Sequence, residues 1–435
     1  LSSAGTISRC NITKAVILTF AKMTALFIHI SVVKLTRKGE RPLKRLKVLK
    51  LGSILLKVFL LLCCVFGAVY LYDYLKAPLG FSEWSTSRAG FIIKLVLVIL
   101  LCSLVFWTGI IIVYITCNQL RLKKRVLGLL LGLIPIANLI MLTDIIVTAD
   151  REYRFECEKL RLNESRAADR ICATKYPVLL VHGVFFRDFR LINYWGRIPR
   201  ELEANGAAVF YGEHNSASSV AASAEQLKSR LLEITEKTGC EKVNIIAHSK
   251  GGLDVRKMLA DDAARERVAS LITINTPHRG CKFADYLFEK VPERMKNAIA
   301  RTYNAAAEKL GDTEPDFLAA TFDLTAARCK ALNAELADPD GVYCASVGSV
   351  QRRATSGRFP LNMTHFFVKL FDGENDGLVG AESFGWGESL TMLRPKGRRG
   401  ISHGDMIDLN RENIRGFDVR EFYVQLVADL KRRGL

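Results

Sequence analysis

The chain has 435 residues, of which 62 are Lys or Arg and 44 are Asp or Glu; the formal net charge is +18 and 49% of residues are hydrophobic. The length exceeds one ordinary domain, and the apolar content points to membrane segments beside a soluble fold. The basic excess is placed in the apolar N-terminal part, which points away from a nucleic-acid surface. Residues 1–150 hold 19 basic and 5 acidic side chains, so most of the charge sits in the apolar N-terminal part and the remainder is nearly balanced.

Three runs in residues 1–150, Leu51 to Tyr72, Gly90 to Ile115 and Val126 to Val147, exceed the roughly 20 residues that cross a bilayer. Their charges, Lys57, Lys94 and Asp144, stand towards the ends, where side chains reach the interface. A fourth run, Ala15 to Val33, is interrupted by Lys22 and His29 and stays open as a span. The chain begins at Leu1, and Met23 is a candidate start. Arg37 to Lys50 and Arg121 to Arg125 are basic, while Asp73 to Arg88 is balanced. The positive-inside rule puts both basic segments in the cytoplasm and Asp73 to Arg88 outside. A third crossing by Val126 to Val147 then leaves the rest of the chain outside the cytoplasm. Anionic lipid headgroups are a second partner for the basic loops.

Residues 1–150 are thus expected to form a membrane domain of three or four helices, and the polar stretch 151–175 a linker. From residue 176 strand and helix patterns alternate. Tyr176 to Val184 is an apolar strand ending in His182-Gly183. Ala207 to Tyr211 reads as a strand, Ser219 to Thr238 as a helix, and Val243 to Ile246 as a strand. Lys250 to Ala260 follows as a helix and Leu271 to Ile274 as a strand. Such alternation predicts an α/β fold, a mostly parallel sheet covered on both faces. Residues 281–332 break the rhythm and are helical in composition. Phe283, Leu287, Val291, Met295, Ile299 and Tyr303 recur every four residues, and Pro292 divides the stretch into two helices. That stripe is either core packing or a movable cap whose apolar face opens onto lipid.

The chemistry centres on Ala247-His-Ser249-Lys250-Gly-Gly252, between a strand and a helix. Small residues two positions either side of Ser249 permit a sharp strand–turn–helix that lifts Oγ clear of the sheet. This is the nucleophile elbow of an α/β-hydrolase fold. In that fold the backbone N–H after the nucleophile and one from the loop after the His-Gly strand hold the oxyanion, here Lys250 and Val184. His182 reads as structural. The acid and the histidine follow the serine in chain order, which leaves His278, His365 and His403. His278 comes too early. His365 opens an expected strand, His365 to Phe371, which runs into the acid-rich loop Asp372 to Val379. Only His403 lies beyond it. Asp376, at a turn before an apolar step, is the expected acid, with Asp372 in reserve.

These motifs resemble the bacterial triacylglycerol lipases of family I. The matching segments are Val181 to Val184, His248 to Gly252, Thr276 to Gly280, Asp376 to Gly380 and His403 to Asp405, within roughly residues 175–433. The resemblance implies Ser249, Asp376 and His403 as a catalytic triad, Val184 and Lys250 as oxyanion donors, and a helical cap inserted after Gly280; the apolar runs place the chain in a membrane, expected to be a bacterial plasma membrane. The resemblance also implies a structural calcium bound partly through Asp405. No acid lies in Gln351 to Leu361, where a second carboxylate ligand is sought. Ala247 and Lys250 depart from the usual glycine and uncharged residue. No cofactor is required.

The expected activity is cleavage of carboxylic esters of lipids through an acyl-enzyme. Phospholipase, thioesterase and acyltransferase chemistries use the same triad, and a non-enzymatic membrane scaffold with a vestigial hydrolase domain is the reading from another class. Of eleven cysteines, Cys63, Cys64, Cys102 and Cys117 fall in or beside the spans, and Cys10 lies before them. Cys157, Cys172, Cys240, Cys281, Cys329 and Cys344 belong to the remainder, and an oxidising space would let them pair, Cys329 with Cys344 first.

Overall fold

A computed structural model describes residues 41–76, 88–134, 136–184, 194–358, 361–395 and 397–435. Cys10, Met23, the run Ala15 to Val33 and most of the Asp73 to Arg88 loop lie outside the described residues. The chain divides into two compact units, Leu1–Leu162 and Asn163–Leu435.

In the first unit, helices α1 (Arg41–Lys76) and α2 (Arg88–Thr116) are long and apolar enough to cross a membrane over Leu43–Tyr72 and Ile92–Thr116. They lie antiparallel. A Cβ at Gly52 would press on Ile112 and Val113, one at Gly109 would stand 3.0 Å from Leu56, and the rings of Phe59 and Phe106 are 5.0 Å apart. Missing side chains at the two glycines let the backbones approach closely. The third apolar run is not one helix. It is α3 (Leu122–Leu130), a 3₁₀ turn over Leu131–Leu133, and α4 (Ala137–Ser165). The sequence carries Pro135, which has no N–H for a helical bond, and Ile136 follows with φ +68°. Lys124 Nζ donates to Thr148 Oγ1 at 3.0 Å, and a Cβ at Gly128 would meet Ile145, so α3 folds back antiparallel on α4. The single continuous helix expected over Val126 to Val147 is thus broken into two antiparallel segments.

The second unit is built on six parallel strands: β1 (Val178–Val181), β2 (Val209–Tyr211), β3 (Val243–His248), β4 (Val268–Ile274), β5 (Tyr343–Ser349) and β6 (Ser389–Leu393), in the order β2-β1-β3-β4-β5-β6. The α/β expectation is met. β1 is buried throughout, as a strand covered on both faces must be. Val178 and Leu180 face one core with Trp195, Ile198 and Leu202 of α5 (Ile198–Ala204), and Tyr423, Val424 and Val427 of a C-terminal helix over Val419–Arg432. Leu179 and Val181 face the other core with Leu227, Leu231 and Ile234 of α6 (Val220–Thr238), and Val255 and Met258 of α7 (Lys250–Met258). The two-residue period of the strand assigns these faces. Ser219 caps α6, its side chain accepting from Ala222 N, and Gly239 ends it at φ +67°.

A short helix, α8 (Asp262–Arg265), precedes β4. The break after β4 is helical as expected: α9 (Lys282–Lys290), α10 (Glu293–Lys309), α11 (Phe317–Phe322) and α12 (Ala326–Glu335). Pro292 is the N-cap of α10. The expected strand His365 to Phe371 is instead a helix, α13 (Leu361–Asp372). His365 and Val368, three apart, are its buried residues, while Met363, Phe366, Phe367 and Leu370 are exposed. A short apolar run of this kind does not by itself distinguish the two periods. The C-terminal helix is α14. The expected Cys329–Cys344 bridge is absent, and Cys157, Cys172, Cys240, Cys281, Cys329 and Cys344 are all free thiols. Burial pushes the thiols of Cys172, Cys329 and Cys344 up to about 12, so they pack as small apolar groups.

Candidate active site

β3 delivers Ser249 to the C-terminal edge of the sheet, and α7 begins at the next residue. Ser249 has φ +56° and ψ −131°, a conformation that L-residues rarely adopt and that a strand-to-helix elbow demands. The elbow lies close against the end of β1. A Cβ at Gly251 would collide with the His182 carbonyl oxygen, and one at Gly183 would stand 2.8 Å from Ser249 Cβ. Lys250 occupies the first helical position, where a backbone N–H has no intrahelical acceptor. Val184, buried, directly follows Gly183.

The loop after α13 holds Asp376, which is fully buried. Its Oδ1 accepts from the N–H groups of Leu378 and Val379 at 2.9 and 2.8 Å, and its Oδ2 accepts from Asn275 Nδ2 at 2.5 Å. Oδ2 also lies 2.6 Å from His403 Nδ1, and His403 N donates to the Asp376 carbonyl at 2.8 Å. Asp376 is therefore anchored on both oxygens and fixes both the ring and the backbone of His403. The His403 ring lies 4.5 Å, centroid to centroid, from that of His248, the residue before Ser249. Asp372, the reserve acid, is committed elsewhere: its oxygens accept from the N–H groups of Lys282 and Phe283 at the start of α9.

The other described histidines are held in hydrogen bonds and stacks with other partners. The ring nitrogens of His182 lie 2.9 Å from the Gly183 carbonyl and 3.1 Å from that of His214; a neutral ring donates to one of them. Burial, with His214 stacked at 3.9 Å, drives the His182 imidazole down to about 3. Burial likewise holds His248 and His278 well below the ordinary range. His278 Nε2 lies 3.0 Å from Thr273 Oγ1, and the ring stacks on Trp386. His365 Nδ1 lies 3.2 Å from Asn375 Oδ1, so this side chain belongs to the loop that carries Asp376.

Sequence reasoning missed three participants. Tyr194 Oη accepts from Gly183 N at 3.0 Å and lies 2.7 Å from His248 Nδ1, stitching β1 to the elbow. No spacing signals it. Asn275, at φ +49°, holds Asp376 and also donates to Ser349 Oγ at 2.8 Å; its place opening Asn275-Thr-Pro-His was the available signal. The third is the side chain of Lys250, which is buried with Asp254, Nζ donating to Oδ1 at 2.5 Å and to Ser223 Oγ at 3.0 Å. Burial raises the Asp254 carboxyl to about 6 against the pull of Lys250.

Asp405 does not fit a calcium ligand. Arg399 Nη1 and Nη2 donate to its two oxygens at 2.7 and 3.1 Å, and Ser402 N donates to Oδ2 at 2.8 Å. Arg399 Nη2 also reaches Glu412 at 2.9 Å. A guanidinium thus bridges two carboxylates beside the His403 loop, where a hard cation would need those oxygens for itself. Among the described residues no group of three His, Cys, Asp or Glu could hold a metal.

Ser249 opens onto an apolar cavity of about 290 Å³. Its walls come from α9 to α11 and from Leu378 and Val379, and they include Phe283, Leu287, Val291 and Ile299. Four members of the expected stripe therefore line a cavity next to the serine. Tyr303 instead stacks on Phe317 at 4.4 Å, and Met295 is exposed.

A family model described as palmitoyl protein thioesterase matches residues 177–313. A triacylglycerol lipase of Burkholderia plantarii is 35% identical over 179 residues, 38% of this chain and 49% of that protein. A triacylglycerol lipase of Pseudomonas fragi is 29% identical over 294 residues, 60% of this chain and 98% of that protein. The crystal structure of Staphylococcus hyicus lipase is similar at 18% identity, over 60% of this chain and 97% of that one, with a TM-score of 0.47. The chain spans about half the length of the curated relatives it matches at 34–35% identity. The second unit has the parallel sheet and strand-to-helix elbow of an α/β-hydrolase fold and is similar in sequence to bacterial triacylglycerol lipases.

Two outcomes follow from this geometry. Arg399→Ala leaves a buried carboxylate without its cation, so stability should fall by about 1–3 kcal/mol and kcat should drop more than KM rises; calcium should rescue neither, and wild-type activity should be the same in calcium and in EDTA. The second concerns acid. His182, His248 and His278 are held neutral in the fold and bind protons once unfolded, so their contribution is complete above about pH 6.5 and declines as pH falls below it, for His182 down to about 3, by up to about 1.4 kcal/mol per unit. Asp254, raised in the fold, acts in the opposite sense between about pH 6 and 4 but is one group against three. Denaturant midpoints should fall steadily over this range, and His182→Gln should reduce the slope.

Proposed function

We propose that the second unit is a serine hydrolase that cleaves carboxylic esters of long-chain acyl groups, with Ser249, His403 and Asp376 as its triad. The observation that carries this reading is the buried Asp376–His403 hydrogen bond at a strained serine elbow that opens onto an apolar cavity. The similarity to triacylglycerol lipases supports the substrate class.

The carboxylate of Asp376 fixes the Nδ1–H tautomer of His403 and stabilises the imidazolium. Nε2 takes the proton of Ser249 Oγ as it attacks the ester carbonyl. The N–H groups of Lys250 and Val184 donate to the developing oxyanion. As the tetrahedral intermediate collapses, the alcohol leaves with the proton from Nε2. Water then attacks the acyl-enzyme, gives its proton to Nε2, and releases the acid with Ser249 restored. The cavity walls from α9 to α11 take the acyl chain. They favour long chains because each buried methylene contributes about 0.8 kcal/mol.

A second reading is favoured by the palmitoyl protein thioesterase match over residues 177–313. Thiolate is a better leaving group than alkoxide, and the same acyl-enzyme serves both. A panel pairing oxygen esters with thioesters of equal acyl length decides between them. Ester cleavage should dominate and rise with chain length, and Leu287→Ser with Val291→Ser should flatten that rise while short esters are still turned over. Ser249→Ala should lose at least ~10⁴-fold in kcat. Asp376→Asn should be severely impaired and Asp372→Asn close to wild type. The reverse order of the two aspartates would move the acid, and faster thioester cleavage would favour the second reading.

A further inference from the structure

We infer that residues 41–162 enter and leave the membrane on one face, as two spanning helices and a re-entrant hairpin, and that the second unit therefore works in the cytoplasm. This does not rest on the ester reading.

The polar contacts of the first unit gather at one end. Arg45, near the start of α1, donates to the Thr116 carbonyl at the end of α2 and to Glu152 of α4, both at 2.5 Å. Glu152 is buried, and its Oε2 also accepts from Gln119 N at 2.8 Å. Asp150 accepts from Ser53 Oγ at 2.7 Å and pairs with Lys50 and Lys57. Arg125, on α3, donates to the carbonyls of Leu120 and Cys117. The N-terminal end of α1, the C-terminal end of α2, the foot of α3 and residues 150–152 of α4 are thus at one level.

From that level the hairpin is too short to cross. α3 and its 3₁₀ turn run Leu122–Leu133, about 20 Å at 1.5–2.0 Å per residue, and α4 takes about 20 Å to return from Ala137 to Asp150. The hydrocarbon layer is about 30 Å thick. The partner of the hairpin's outer surface is that hydrocarbon. Leu129, Leu130, Ile134, Ile136, Leu139 and Ile140 are all exposed around its turn, while Lys124 and Asp144 pair nearer its foot. The surface continues that of two helices long and apolar enough to span. Charge supplies the direction. The foot carries Lys44, Arg45, Lys47 and Lys50 of α1 and Arg121 to Arg125, and positive segments stay in the cytoplasm. The free thiols of the hydrolase unit suit a reducing compartment.

The test uses the full chain in a bacterial host, fused at its C-terminus to green fluorescent protein or to alkaline phosphatase, which folds only outside the cytoplasm. Green fluorescence is expected, with phosphatase activity at least tenfold below a secreted control, and with the hydrolase unit resisting protease added to intact spheroplasts until they are lysed. An active phosphatase fusion, or digestion in intact spheroplasts, would overturn the inference by showing a third crossing. Neither readout depends on ester turnover.

Discussion

The hydrolase unit depends on how closely the elbow after β3 lies against the end of β1. No side chain fits at Gly251 because the His182 carbonyl is there, and none fits at Gly183 because Ser249 is there. This approach brings Gly183, which precedes Val184, up to Ser249, which precedes Lys250. The strain at Ser249 is sustained by what surrounds it. Tyr194 ties Gly183 to His248, the buried Lys250–Asp254 pair fixes the first turn of α7, and Ser249 N donates to the Ile274 carbonyl at 2.9 Å. Local strain of about 1–3 kcal/mol persists only where neighbours over-determine it in this way.

The acid–histidine half is built by the same logic from other material. The Asp376 carboxylate makes four hydrogen bonds, three of them to groups that cannot move far: two amides of its own turn and Asn275 after β4. His403 is then held by Asp376 in front and by the Arg399–Asp405 clamp behind, through Ser402. A guanidinium offers five N–H donors in a fixed fork, which suits two carboxylates at once. The loop carrying His403 thereby obtains its cation from the chain itself.

Much of this was legible in the sequence because it is local. The elbow, the His-Gly strand end and the acid turn each depend on residues within a few positions, and spacing records them. The alternation of strands and helices and the break at Pro292 were legible for the same reason. What the sequence hid is tertiary. Nothing near Tyr194 announces a partner, since His248 lies 54 residues away; Arg399 stands only six residues before Asp405, but no spacing rule marks that pair. The helix at Leu361–Asp372 was hidden differently: its apolar residues stand on both faces, so neither period stands out. Length misled for Val126 to Val147, where composition satisfies a span and one proline and a positive φ at Ile136 divide it.

The central claim is that one serine, made reactive by the Asp376–His403 pair, does the chemistry. A fluorophosphonate probe followed by peptide mass spectrometry tests it most directly. One adduct is expected, on the peptide containing Ser249, formed much more slowly in Asp376→Asn. An adduct on another serine, or ester turnover that persists in protein left unlabelled by the probe, would contradict the account.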